Sequence, residues 1–271
     1  MKKLILFLGF LFMFVLTEAQ ELFTYTEPAS NMAARTLGLR MTSTFMPERP
    51  SAVVNTHFNP EIMIGFSKRW MCHIDAFISN RAGEWETEGG SVYVKRRFYS
   101  VDNVHTHFRM AAIGRFSFNN SSIHQEAVDL NGHNSGFEFG LIATQLLHKV
   151  ALSATTSYIN GTENVGEKFY TKEKMLNRRA IGFTLTAGKL FLPKSYISYN
   201  QLNLNGMIEI LGQTNVQSGR TFIDIAPVIQ CIIKSRMRLD LGYRMPISNQ
   251  LTRTAPGGGL IRFEYNFFNA F

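Results

Sequence analysis

The chain has 271 residues, 45% of them hydrophobic and 18% charged, and its 28 Lys and Arg against 20 Asp and Glu give a formal charge of +8. A basic chain can bind nucleic acid, but no Lys/Arg cluster with interleaved stacking aromatics forms a nucleic-acid module, so that partner is not expected. The two cysteines, Cys72 and Cys231, are far apart and fall on apolar strand faces, so no disulfide is expected even in an oxidising compartment.

Lys2 and Lys3 precede an apolar run over residues 4–16, and Thr17-Glu18-Ala19 follows. A charged start, about 13 apolar residues and small residues at the cut read as a secretory signal peptide over 1–19. The run is too short for a spanning helix, which needs roughly 20 residues. Removing Lys2, Lys3 and Glu18 leaves 26 basic and 19 acidic residues, a formal charge of +7. No later stretch is apolar enough to cross a membrane as a helix. If the remaining chain crosses one, it does so as a closed barrel, the other fold that satisfies every backbone group. About 250 mature residues make one domain if all-β.

Residues 20–32 have no alternation and contain Pro28, so they read as a non-strand periplasmic segment leading into the domain. From residue 33 to 271 the pattern changes to period two, the signature of strands with one apolar and one polar face. Twelve strands are predicted: 33–45, 60–67, 71–80, 91–98, 105–118, 136–146, 149–159, 180–189, 195–212, 221–232, 237–247 and 259–271. In the first, Leu37, Leu39 and Met41 oppose Gly38, Arg40 and Thr42. In the third, Cys72, Ile74 and Ile78 oppose His73, Asp75 and Ser79. In the fifth, Phe108, Met110, Phe116 and Phe118 oppose His107, Arg109, Arg115 and Ser117. The ninth is the least regular; its alternation slips over 202–207, where Gly206 suggests a bulge or bend. Pro227 in the tenth also argues for a bulge.

The links carry a second signal. Those after strands one, three, five, seven and eleven are long, and those after two, four, six, eight and ten are short. Outer-membrane barrels have short periplasmic turns, longer extracellular loops and an even number of strands. The expected fold is therefore an all-β, antiparallel transmembrane β-barrel of about 12 strands, with both termini in the periplasm.

The last strand, GLIRFEYNFFNAF, alternates Ile261, Phe263, Tyr265 and Phe267 with Arg262, Glu264 and Asn266, and the chain stops on Phe271. This aromatic ending resembles the C-terminal signal by which Gram-negative outer-membrane proteins are recognised by their assembly machinery. Phe263, Tyr265, Phe267 and Phe271 are the residues that carry it. From leader to terminal Phe, the chain resembles outer-membrane β-barrel proteins of the channel or transporter type. That resemblance implies a location in the outer membrane and contact with its lipid and with the barrel-assembly machinery, but no functional residues.

With apolar faces toward lipid, the lumen receives Arg40, Lys95, Arg97, Arg109, Arg115, Arg238, Arg244 and Arg262, against Asp75, Glu138, Asp224, Asp240 and Glu264. Facing lipid near the midplane, each Arg or Lys would cost roughly 2–4 kcal/mol. One reading is an ion-pair network that fills a narrow barrel; the other is a cation-lined path for small anionic solutes. Two further sites are weighed. His105 and His107 share a face, with His73 two strands away near the same periplasmic rim, and His-x-His can bind zinc or copper. His133 and Ser135 share the outward parity of Phe137, superficially like the outer-membrane phospholipase family, in which a His-activated Ser attacks a lipid ester. The rest of that family's signature is missing, and ordinary turn residues explain the stretch equally well. No cofactor is expected.

Overall fold

The computed structural model describes residues 23–47, 54–81, 83–103, 106–122, 125–165, 178–195, 198 and 200–271. The predicted signal peptide and most of the predicted loop over 160–179 lie outside the described residues.

Twelve strands follow one another: β1 (Thr36–Pro47), β2 (Val54–Gly65), β3 (Trp70–Ser79), β4 (Glu86–Asp102), β5 (Thr106–Asn119), β6 (Ser135–Leu147), β7 (Val150–Thr162), β8 (Arg179–Leu192), β9 (Asn203–Asn215), β10 (Thr221–Ile233), β11 (Met237–Asn249) and β12 (Gly258–Phe267). Each pairs antiparallel with its neighbour in sequence, and β1 pairs with β12 to close the barrel. The seam runs from Leu37 opposite Phe267 to Phe45 opposite Gly259. Closure leaves no edge strand with unpaired backbone groups, as a chain in hydrocarbon requires.

The burial pattern is that of an inverted protein. Side chains at nought per cent exposure include Lys95, Glu209, Asp224, Gln230 and Asp240. Phe116 is 62% exposed, Phe139 60% and Ile229 60%, all on the opposite wall face. The first, third, fifth and last strands take the predicted phase, because a one-residue slip would turn a row of charges outward.

Several boundaries differ from expectation. β2 begins at Val54, so the first link is only 48–53, whereas β4 is extended at both ends and carries a bulge between Arg97 and Tyr99. β9 begins at Asn203 and the link before it covers 193–202, the long exception on the short-turn side. Gly206 marks no bulge: the β9–β10 register is continuous through it, and the irregularity lies across the β8 ladder between Leu190 and Leu192. Gly206 instead leaves room for the Phe191 ring, 2.5 Å from where its Cβ would stand. Pro227 marks no bulge either. The β10–β11 ladder lapses at Ala226 and Pro227 and resumes in the same register, and the shift falls at Ile223/Asp224. Finally, β12 ends at Phe267, so Phe271 is not a strand residue; Asn269 takes a positive φ of 53° and turns the chain.

Candidate functional site in the barrel lumen

Two segments fold into the lumen, one from each end. The first is the stretch from Phe23 to Arg35, just before β1. Lacking strand periodicity, it cannot join the sheet, so its backbone groups find partners on the polar inner wall instead. The amides of Thr24, Tyr25 and Thr26 all donate to the Glu209 carboxylate at 2.8–3.1 Å. Across the lumen, the Ala29 amide donates to Thr144 Oγ1 at 2.9 Å and Lys95 Nζ donates to the Pro28 carbonyl at 2.8 Å. Arg109 reaches Ser30 Oγ at 2.9 Å, and Arg238 holds the Phe23 carbonyl. Phe23 packs on Met207 and Val228, Ala29 on Ala111 and Ile142, and Met32 on Met63 and Met71. The segment therefore crosses the barrel from the β9–β11 wall to the β2–β6 wall.

Glu27 projects from this segment toward Arg40 (3.0 Å) and Lys95 (3.3 Å). Burial alone would push its carboxyl up, but Lys95 and Arg40 outweigh burial and hold it well below the usual carboxylate range. Burial raises the Tyr25 phenol to about 12. Tyr25 Oη is buried without a hydrogen-bond partner among the described residues.

The second inserted segment is the β5–β6 link, described over 120–122 and 125–134, entering from the opposite end. Its Val128 amide donates to Gln213 Oε1 at 2.9 Å while Gln213 Nε2 donates back to the Val128 carbonyl at 2.8 Å. Val128 and Leu130 pack on Ile159 and Ala180, and Ala127 packs on Phe222 and Leu251. Asp129 accepts from the Asn131 amide at 2.8 Å and pairs with His133 Nδ1 at 3.1 Å. Burial alone would raise the Asp129 carboxyl, but the His133 and Asn131 contacts outweigh it and hold the group well below its ordinary range. The His133 ring stacks on His57 at 5.0 Å.

Between and around these segments lie the charges predicted for the lumen. Arg40 is paired with Glu27, Glu61 and Glu264, and Arg238 with Asp240 and Glu264. Arg115 contacts Asp75 at 3.3 Å and Glu138 at 3.7 Å, and Arg109 contacts Asp102 at 2.9 Å. Arg244 and Arg253 share the single carboxylate of Asp224. Arg97 faces inward near the short-turn end, half-buried. Arg262 differs: its Nε donates to Thr42 Oγ1 at 3.0 Å, and no carboxylate lies within ion-pair distance among the described residues. On β10–β12 and the link between β11 and β12, Arg238, Arg244, Arg253 and Arg262 stand with Asp224, Asp240 and Glu264, and Glu264 is shared with Arg40 on β1.

Sequence reasoning missed Glu27, Glu61, Glu209, Asp102 and Arg253. Glu61 shares the parity of Met63 and Gly65, so the signal was present two residues away. Glu209 sits in the strand whose alternation is obscured. Glu27 and Arg253 lie outside strands, where period two says nothing.

His73 and His107 are not brought together. His73 is 3% exposed and its Nδ1 bonds to Glu61, so it is buried against the inner wall. It stands opposite Tyr93, which stands opposite Arg115. His107 is eight residues further along β5, about 26 Å at a rise of ~3.3 Å per residue. There its Nδ1 bonds to Asp102 at 2.9 Å. His105 lies outside the described residues. Among the described residues no three His, Cys, Asp or Glu groups converge as a metal site.

His133 and Ser135 do not share the lipid face. His133 points into the lumen against His57 and Asp129. Ser135 is buried at the barrel rim, where its Oγ donates to the Asn119 carbonyl at 3.1 Å and accepts from the Asn119 amide at 2.8 Å. Gly136, at φ 150°, breaks the alternation of the strand that follows, so Ser135 and Gly136 are both buried. Phe263 and Phe267 do face outward, and the Tyr265 ring packs tilted against Phe267 at 4.7 Å; Phe271 is exposed beyond the strand end.

No protein-family model matches the chain, and no curated protein sequence matches it. Solved structures do match in shape. An outer-membrane channel from Pseudomonas putida F1 aligns with a TM-score of 0.54 and 10% identity over 91% of this chain and 100% of its own. The NanC porin aligns with a TM-score of 0.46 and 10% identity, covering 86% of this chain and 98% of that one. Together with the closed twelve-strand wall and its outward apolar face, the first of these likenesses makes the fold that of an outer-membrane β-barrel.

Proposed function

We propose that the protein is a channel or transport component that passes small anionic solutes through the outer membrane. The observation that carries this reading is Arg262. It faces the lumen, is half-buried and has no carboxylate partner among the described residues, while Arg244 and Arg253 divide one carboxylate between them. In a low-dielectric barrel, uncompensated guanidinium charge attracts anions and repels cations. The preference is set on the β10–β12 wall, while Arg40, Arg109 and Arg115 elsewhere in the lumen are paired with carboxylates. The inserted segments at either end narrow the route.

Planar-bilayer recordings in a salt gradient test this reading. The reversal potential should report anion preference, and Arg262→Gln should move it toward zero. A cation-selective current in the parent protein, or no current even after residues 21–32 are deleted, would overturn it.

A further inference from the structure

The short turns carry a pattern that the lumen does not use. The links at that end are 66–69, 103–105, 148–149, 193–202 and 234–236. They contain Lys68, Arg69, Lys149, Lys194, Lys234 and Arg236, and not one Asp or Glu. The opposite end is mixed, with Glu84, Glu126, Asp129 and Glu163 among its basic residues. Short turns and both termini mark the periplasmic side of an outer-membrane barrel, so the positive rim meets the periplasmic leaflet.

On the outer wall beside this rim, two strand cations face lipid. Arg96 on β4 stands directly opposite Trp70 on β3, and its guanidinium carbon lies 5.3 Å from the centre of the Trp70 ring. Trp70 is 45% exposed and Phe66, on the adjoining turn, is 55% exposed. The Arg69 carbonyl accepts from the Arg97 amide at 2.8 Å, which fixes the turn against β4. Around the barrel, Lys189 on β8 faces outward beside Phe191, whose ring covers Gly206. An outward Arg or Lys is costly at the midplane and nearly free at the interface, so Arg96 and Lys189 set the headgroup level. An indole at that level, with a guanidinium held on its face, is an amphipathic platform with its charge directed at headgroups.

We infer that Trp70, Arg96, Arg69 and Lys68 form a binding site for the phosphate of an anionic phospholipid in the periplasmic leaflet. The indole and Phe66 flank the glycerol and upper acyl region, while the two guanidiniums and the ammonium surround the phosphate. A zwitterionic lipid brings its own cation to this cluster and is disfavoured; a singly anionic headgroup is not. Each surface cation contributes about fivefold to the local preference for an anionic lipid. The inference does not depend on whether the lumen conducts.

The chain has two tryptophans, Trp70 and Trp85, so Trp85→Phe leaves Trp70 as the sole indole reporter. The full-length protein with this change is reconstituted in vesicles of mixed phosphatidylcholine and phosphatidylglycerol, with either lipid brominated in turn. Brominated phosphatidylglycerol should quench Trp70 several-fold more than its bulk fraction predicts, and added salt should reduce the excess. Arg69→Gln/Arg96→Gln should abolish the excess while quenching by brominated phosphatidylcholine remains, which also shows that the variant is inserted. Equal quenching by the two headgroups in the Trp85→Phe protein would overturn the inference. So would an excess that survives the double substitution.

Discussion

Thr24 and Glu209 are 185 residues apart in sequence, yet the Thr24 amide donates to the Glu209 carboxylate at 2.8 Å inside the barrel. The amides of Tyr25 and Thr26 converge on the same carboxylate. Three consecutive donors around one anion form a nest that favours negative charge. Glu209 is fully buried, so this nest replaces the water that the charge loses and binds the N-terminal segment to β9.

Replacing Glu209 with Gln keeps the shape but removes the charge and puts an NH2 donor where one carboxylate oxygen accepts from two of the three amides. Hydrogen bonds to charged groups contribute about 1.5–3 kcal/mol each, so the segment should detach while the wall, held by its own ladders, persists. Limited proteolysis should cut between residues 23 and 35 in Glu209→Gln and spare the parent protein. If the channel reading holds, single-channel conductance should also rise. Equal protection of the two proteins would show that the nest does not anchor the segment.

Much of the wall is legible in the amino-acid sequence. Arg40, Asp75, Arg115, Arg238, Asp240 and Glu264 face the lumen because period two leaves each strand only one choice of face. Which charges cancel is not legible there. The partners of Arg40 come from β2, β12 and the N-terminal segment, and strand alternation carries no information about which residues share a level across strands. The inserted segments escape for a related reason. Gln213 and Val128 recognise each other through an amide and a backbone peptide, a pairing available to any glutamine and any loop. Gly206 and Pro227 mislead because their usual meaning in a strand is a bulge, whereas here they meet a ring and a lapse in the ladder.

Gly212 on β9 supplies a second prediction. It faces outward beneath the Phe183 ring, and a Cβ there would stand 2.2 Å from the ring's Cζ. The ring covers the bare backbone and shields a stretch of wall from lipid, an aromatic–glycine pairing across strands. Gly212→Ala should therefore destabilise the barrel by about 1–3 kcal/mol through overpacking, seen as a lower urea midpoint in vesicles. Adding Phe183→Ala should restore part of the loss. If the two substitutions simply add, the ring and the glycine are not coupled.

The β5–β6 link should loosen in acid. Burial opposes the Asp129 charge, yet His133 holds the carboxyl well below its ordinary range. A depressed folded value means that the carboxylate stabilises the docked link fully above the ordinary carboxylate pKa near ~4. That contribution fades as pH falls from there toward the folded value. Hydrogen exchange at the amides of residues 126–134 should be slow and constant from neutral pH down to about 5 after correction for the intrinsic rate, then faster below ~4. Asp129→Asn should exchange quickly at every pH and lose the acid step. An acid step that persists in Asp129→Asn would place the control on another group.

Arg40 tests how the barrel is closed. It lies directly opposite Glu264 on the β1–β12 seam and opposite Glu61 across β1–β2, and it also reaches Glu27 at 3.0 Å. One buried guanidinium thus compensates three carboxylates from the first strand's two neighbours and from the inserted segment. Arg40→Met removes the charge, keeps much of the side-chain volume and leaves these acids without a shared partner. Breaking a buried ion pair from one side typically costs about 3–5 kcal/mol, so unfolding in vesicles should shift to markedly lower urea. Glu264 keeps Arg238 at 3.4 Å, whereas among the described residues Glu61 keeps only His73, whose bond to it is charged when the imidazole is protonated. Adding Glu61→Gln to Arg40→Met should therefore recover more stability than adding Glu264→Gln. The reverse order would place the strain at the seam, with Arg40 acting chiefly as the bolt between the first and last strands.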